Sequence, residues 1–273
     1  MIPSFLLSLR EGLEAALIIG IVLGALRKMQ RTDLNPIAWS GAIIAGGLSI
    51  GVAFVLHTLG ASLESPAEQI FEGTTLFLAA AVLTWMIFWM HRQARQIKGN
   101  LEADVRKATL QSGKKAIFLL AFIAVLREGI ELALFLTAAA VTTGSHLTLL
   151  GSIFGLGSAA LLGWALFAST LRLDLQRFFI ITGVLLILFS AGMVASGVHE
   201  FQEISWVPAI IEHVWDVNFL LNENSLVGEI LKTLFGYNGS PSLVEVLSYL
   251  AYFVAIGIGL RLRSDNLPAT QKA

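Results

Sequence analysis

Seven stretches of this 273-residue chain are apolar over the length a helix needs to cross a bilayer: roughly 3–26, 37–59, 69–91, 116–141, 147–170, 177–198 and 243–262. Hydrocarbon offers backbone N–H and C=O groups no partner, so a segment of this kind crosses as a helix. The composition agrees. Charged residues make up 14% of the chain and hydrophobic ones 56%, with a mean hydropathy of +0.76, where soluble domains carry about 25% charge. The pattern predicts an all-α integral membrane protein, a single membrane domain of seven transmembrane helices over 1–273. The first charge, Arg10, lies inside the first apolar run and not ahead of it, so that helix is expected to stay in the mature protein. The chain has no cysteine, which removes disulfides, thiolate metal sites, iron–sulfur ligation and covalent haem attachment together.

Basic residues set the expected orientation. Arg27, Lys28 and Arg31 follow the first span, a further group lies within 92–115, Arg172 and Arg177 separate the fifth and sixth spans, and Arg261, Arg263 and Lys272 follow the seventh. Only Arg10, Arg127 and Lys232 fall elsewhere. This places the N-terminus outside and the C-terminus in the cytoplasm. The charged connection 92–115 reads as a short cytoplasmic helix or an extension of the third span, and 263–273 as a cytoplasmic tail. The external segment 199–242 is acidic, with Glu200, Glu203, Glu212, Asp216, Glu223 and Glu229 against Lys232. Its Val207, Ile210, Ile211, Val214 and Trp215 recur at helical spacing, which predicts an amphipathic helix on the outer surface. Ser242-Leu243-Val244-Glu245 reads as a capping box opening the helix 243–262.

Two charged strings interrupt the apolar spans: Arg10-Glu11-Gly12-Leu13-Glu14 in the first and Arg127-Glu128-Gly129-Ile130-Glu131 in the fourth. An ionised side chain at the middle of a spanning helix costs roughly 2.5–3.5 kcal/mol on insertion scales. At about 100° per residue, Arg10, Glu11 and Glu14 share one face while Gly12 lies away from it, and the second copy behaves the same way. Each glycine could let another backbone approach closely. Four carboxylates and two guanidinium groups then converge, leaving two negative charges for a cation, and hard oxygen donors suit ferric iron, Mg²⁺, Ca²⁺ or Mn²⁺. The alternative is a pair of internal i,i+4 salt bridges that fix helix packing. Because the copies lie three spans apart, 1–91 and 116–198 are expected to be inverted three-helix repeats, with the seventh helix added. Outside the motif their likeness is faint, Gly41-Ala42-Ile43 against Gly151-Ser152-Ile153 being the best of it.

Glu68 and Glu72 open the third span, where they could recruit metal or, for Glu72, join the central site; acids are also favoured there by the helix dipole. Two external collecting sites are conceivable, His199 with Glu200 and Glu203, and Glu212 with His213 and Asp216. Solubility alone accounts for them equally well.

The doubled motif closely resembles that of the oxidase-dependent iron permeases, the fungal high-affinity iron permeases and their bacterial EfeU-type relatives. The likeness extends to Phe71-Glu72-Gly73, to Leu83-Thr84-Trp85-Met86-Ile87-Phe88-Trp89-Met90 and to Phe235-Gly236-Tyr237. The second copy has Ile130 where leucine is usual. The length and short C-terminus are similar to the bacterial form. The resemblance implies a multi-pass protein of the cytoplasmic (inner) membrane that imports iron, ferric or oxidised from ferrous during uptake. Glu11, Glu14, Glu128 and Glu131 would match the family's translocation residues. Iron is then a substrate, with no permanently bound cofactor. The implied partners are the lipid bilayer and periplasmic iron-delivery, oxidase or peroxidase proteins, with no nucleic acid; association of identical copies stays open. Other readings are a transporter of another hard or divalent metal, such as manganese or lead, and a metal exporter. An intramembrane enzyme is disfavoured, since HExxH and GxSxG signatures are missing.

Overall fold

The computed structural model describes residues 1–93, 97–111, 113–168, 175–219 and 225–265. Among the described residues are nine α helices and no strand: α1 (Ile2–Lys28), α2 (Asn35–Ser62), α3 (Ala67–Gln93), α4 (Ile97–Gln111), α5 (Lys114–Thr143), α6 (Ser145–Ala168), α7 (Leu175–Glu203), α8 (Leu226–Phe235) and α9 (Leu243–Asp265). Each apolar stretch falls on one helix of 23 to 30 residues. Five of these, α2, α3, α6, α7 and α9, are long and apolar enough to cross a membrane by length and composition. The other two, α1 and α5, carry the charged motifs. Arg95, Arg172, Glu223, positions 169–170 of the fifth stretch and the tail from 266 lie outside the described residues.

The helices pair in a pattern that follows from where the small residues sit. Helix α1 packs along α6, α2 along α5 and α3 along α7, while α1 and α5 meet each other at the centre. On α2 the contact stripe is Gly41, Ala45 and Ser49; on α6 it is Gly151, Gly155 and Ala159. Small residues at this spacing let backbones approach closely without a hydrophobic driving force. A Cβ on Gly41 would lie 2.6 Å from the Phe118 carbonyl and 3.1 Å from the Phe122 nitrogen. One on Gly151 would fall on the Met1 carbonyl and 3.1 Å from the Phe5 nitrogen. Phe118 and Phe122 stand to Met1 and Phe5 as Arg127 stands to Arg10. Gly129 in turn abuts Ser49, and Gly12 abuts Ala159, so the motif glycines make matching contacts too. Along α1/α6 and α2/α5 the numbers rise together, so both pairs are parallel. Helices α3 and α7 run antiparallel: Gly73 takes the ring of Phe201, Gly197 takes that of Phe77, and the two rings stack at 5.7 Å.

Between α3 and α5 the charged connection forms a helix of its own, α4. Its Val105 joins Leu26, Leu34 and Ile117 in one apolar cluster. The capping box forms as its sequence predicts: the Glu245 N–H donates to Ser242 Oγ at 3.2 Å, and Glu245 Oε1 accepts from the Ser242 N–H at 3.5 Å.

The segment 199–242 departs from expectation. Helix α7 continues to Glu203, and no helix forms over 206–219. Ser205 turns the chain with φ 60°, and Pro208 lacks the N–H that a helix interior needs. The stretch instead runs beside 239–243, with Val214 N–H donating to Pro241 O at 3.0 Å, Val217 N–H to Gly239 O at 2.9 Å and Leu243 N–H to Ile211 O at 3.0 Å. The helix lies later, in α8, where Ser225 Oγ caps the Gly228 N–H at 3.0 Å and Gly236, with φ 67°, ends it. Helix α8 touches α1, α5 and α7, and Gly236 presses its backbone onto Gly192. Gly192 lies eleven residues, about 16 Å, from the end of α7, so this segment inserts into the bundle.

Valine at Gly12 or Gly129 should therefore overpack the α1/α6 or α2/α5 contact and cost about 1–3 kcal/mol. Gly46→Ala, where a Cβ meets nothing within 4 Å, should instead stabilise α2 by about 0.5–1 kcal/mol. Thermal unfolding of the detergent-purified protein compares the three.

Candidate carboxylate site

Burial and helix register together build the centre of the bundle. Helices α1 and α5 each direct the charged face of their motif towards the other. Glu11, Glu128 and Glu131 present one carboxylate oxygen apiece, all within 4.8 Å of one another. Glu14 stands beside them, its Oε1 3.2 Å from Arg10 Nη2. Arg10, Glu11 and Glu128 are buried. The salt bridges expected at i,i+4 are present, Arg10 to Glu14 at 3.2 Å and Arg127 to Glu131 at 2.9 Å. Each arginine also reaches its adjacent glutamate, Arg10 to Glu11 at 3.0 Å and Arg127 to Glu128 at 3.8 Å.

Two guanidinium groups do not satisfy four carboxylates. Glu11 Oε2, Glu128 Oε2 and Glu131 Oε2 are buried and accept no hydrogen bond. Buried polar atoms of this kind are rare in folded proteins, because losing water without gaining a partner is costly. Three carboxylates that bring an oxygen each within 4.8 Å, and that each keep an oxygen without a hydrogen-bond partner, offer hard donors suited to a cation.

The two arginines are not equivalent. Arg10 is 1% exposed and Arg127 41%. Arg10 Nη1 donates to Met86 Sδ at 2.8 Å, and its guanidinium carbon lies 6.0 Å from the centre of the Phe179 ring. Met86 lies in the Leu83–Met90 string that carries the family resemblance, but nothing in the sequence gives it or Phe179 a contact with Arg10.

A second group of acids forms away from this centre. The start of α3 and the end of α7 meet through Gly73 and Phe201, which brings Glu72 into the field of Glu68 and Glu203, and Glu200 into that of Glu72, Glu203 and Glu68. Glu72 lies fourteen residues, about 21 Å along α3, from the Met86 that touches Arg10, so it belongs to this group and does not join the central carboxylates. His199 lies here too, but it is engaged, with Nδ1 3.1 Å from Glu245 Oε1 and Nε2 3.5 Å from Glu203 Oε1. Glu245 is the partner that sequence reasoning missed. Its role as a helix cap concealed a buried carboxylate that also accepts from Asn238 Nδ2 at 2.8 Å. The trio Glu212, His213 and Asp216 does not gather. Glu212 is exposed, His213 Nδ1 is 2.8 Å from Ser240 Oγ, and Asp216 Oδ1 accepts from the Asn218 N–H at 3.0 Å. These contacts shape the irregular segment.

A family model described as "Iron permease FTR1 family" matches residues 1–263. The ferrous iron permease EfeU of Escherichia coli strain 536 is 34% identical over 257 residues, covering 93% of each chain, and that of Shigella sonnei matches equally. The ferrous iron permease EfeU of Yersinia pestis is 31% identical over 257 residues, 93% of this chain and 91% of its own. No solved structure matches.

The different burial of the two arginines carries a prediction. Arg10→Gln strands Glu11 and Glu14 without a counter-charge in the interior and should cost about 3–5 kcal/mol. Arg127→Gln, at a half-exposed position, should cost less than half as much. Unfolding of the two purified variants in one detergent gives the ranking.

Proposed function

The chain belongs to the iron permease FTR1 family, and from that premise we propose that it imports iron across the cytoplasmic membrane through the carboxylates of Glu11, Glu14, Glu128 and Glu131. It is a multi-pass protein of the inner membrane whose relatives are named as transporters. The observation that carries the proposal is the meeting of Glu11, Glu128 and Glu131 within 4.8 Å at the α1/α5 contact, with oxygens that no protein donor satisfies.

In this reading seven helices cross the bilayer, α1, α2, α3, α5, α6, α7 and α9. Helices α1 and α5 do so despite their charges because α6 and α2 back them and each faces the other. The parallel pairs α1/α6 and α2/α5 support inverted repeats, since an odd number of crossings separates equivalent helices. The distribution of lysine and arginine supports an N-terminus outside. The acids Glu68, Glu72, Glu200 and Glu203 then lie at the outer end and concentrate the cation. Iron arrives as ferric ion, or as ferrous ion oxidised during uptake, from a periplasmic delivery or oxidase/peroxidase partner.

Iron uptake into proteoliposomes holding the purified protein tests the site. Glu131→Gln and Glu11→Gln should each abolish uptake while the protein still inserts and elutes as the native form. Uptake at the wild-type rate in both would make the motifs packing salt bridges. Adding manganese in excess to the same assay should slow iron uptake, because oxygen donors discriminate poorly among such cations. Topology has its own check. The chain is free of cysteine, so Ser62→Cys should react with a membrane-impermeant thiol reagent added outside, and Ser112→Cys only after the membrane is opened.

A further inference from the structure

The two motifs repeat, but their surroundings do not. Arg10 is enclosed on every side: Nη1 donates to Glu11 Oε1 at 3.0 Å and to Met86 Sδ at 2.8 Å, Nη2 lies 3.2 Å from Glu14, and the ring of Phe179 is 6.0 Å from the guanidinium carbon. Met86 comes from α3 and Phe179 from α7, so the seat is built where those antiparallel helices reach α1. Arg127, 41% exposed, holds Glu131 at 2.9 Å and Glu128 more loosely at 3.8 Å.

A guanidinium is itself a cation that carboxylates bind well. Arg10 is close enough to compete for the carboxylate cluster, since it already holds Oε1 of Glu11, whose Oε2 has no hydrogen-bond partner. An Arg10 free to move would bind across Glu11, Glu128 and Glu131 in place of the metal ion. The thioether and the aromatic face oppose this. A ring face attracts a guanidinium that lies over it, and the sulfur accepts one of its N–H groups.

Resting on the carboxylate reading above, we propose that Met86 and Phe179 are positioning residues that hold Arg10 on the Glu11–Glu14 side and keep the place shared by Glu11, Glu128 and Glu131 open to the ion. The two side chains thereby set the affinity for iron without touching it.

The test is the kinetics of iron uptake in proteoliposomes. Phe179→Leu removes the ring face, and Met86→Leu removes the acceptor at nearly constant volume, a swap that cores tolerate. Each should raise KM for iron about 5–10-fold, roughly the effect of losing one cation–π or hydrogen-bond contact, with the maximal rate within about twofold of wild type. Phe179→Tyr, which keeps the ring, should stay near the wild-type KM. An unchanged KM in both leucine variants, a fall in maximal rate alone, or equal effects of Phe179→Tyr and Phe179→Leu would overturn the proposal. Should Phe179→Leu fail to fold, Met86→Leu decides. Glu131→Gln, run alongside, separates the two levels: full uptake in that variant sinks the carboxylate reading itself. Lost uptake there, with normal KM in the leucine variants, sinks only the seating of Arg10.

Discussion

Six ionisable side chains brought together where two helices touch dictate how the rest of the bundle is arranged. Charges buried in an apolar bundle are tolerated when they face one another. Helices α1 and α5 therefore meet along their charged faces, and each must be covered on its other side by a helix that comes close. Gly12 and Gly129 make this possible. They lie away from the charges on their helices, so the residues that bury the charge and the residues that admit the neighbour occupy different faces of one turn. Ala159 of α6 and Ser49 of α2 fill those places. Glycine in the middle of a helix is otherwise a poor choice; here the close approach requires it.

Matched packing with unmatched surroundings is the other organising fact. The contacts of Gly41 and Gly151, and of Gly12 and Gly129, correspond residue by residue between the halves. Helices α8 and α9 belong to no repeat. Helix α9 is tied to α7 through Glu245 and His199, and α8 rests on α1, α5 and α7. Helices α8 and α9, which have no counterpart in the matched contacts, make the surroundings of the two motifs chemically different.

Much of this architecture was legible in the sequence, for specific reasons. Apolar stretches of helical length are a direct record of the solvent they face, so all seven long helices lie where hydropathy puts them. The charged faces followed from the helical period alone, and Ser242 and Glu245 form their cap because capping is decided within four residues. The segment 206–219 misled because Val207, Ile210, Ile211, Val214 and Trp215 satisfy a helical period, while Ser205 and Pro208 break the helix that the period suggests. Helix α8 carries a helical period as well, in Leu226, Val227, Ile230, Leu231 and Leu234, and 207–215 mimics it until Ser205 and Pro208 are weighed. The seat of Arg10 could not be read at all. Met86 and Phe179 look like ordinary core residues in their own helices, and only the packing of α3 and α7 against α1 gives them a task.

The donor count bears on the choice between a structural staple and the binding site proposed above. In a bundle held together by its salt bridges alone, each buried carboxylate oxygen would be expected to meet a donor, since an unpaired acceptor costs about 1–3 kcal/mol, more if charged. The arginines here approach one oxygen of each motif glutamate, and the remaining oxygens of Glu11, Glu128 and Glu131 are left without a hydrogen-bond partner. A third arginine or a nearby amide would have removed the strain. None is supplied among the described residues that touch the cluster; Arg127 is engaged with Glu131 and Glu128, and Arg10 with Met86 and Phe179 as well as with Glu11 and Glu14. An interior that leaves three carboxylate oxygens unsatisfied is what the proposed carboxylate site requires, and a bundle stapled only by its salt bridges would not need it.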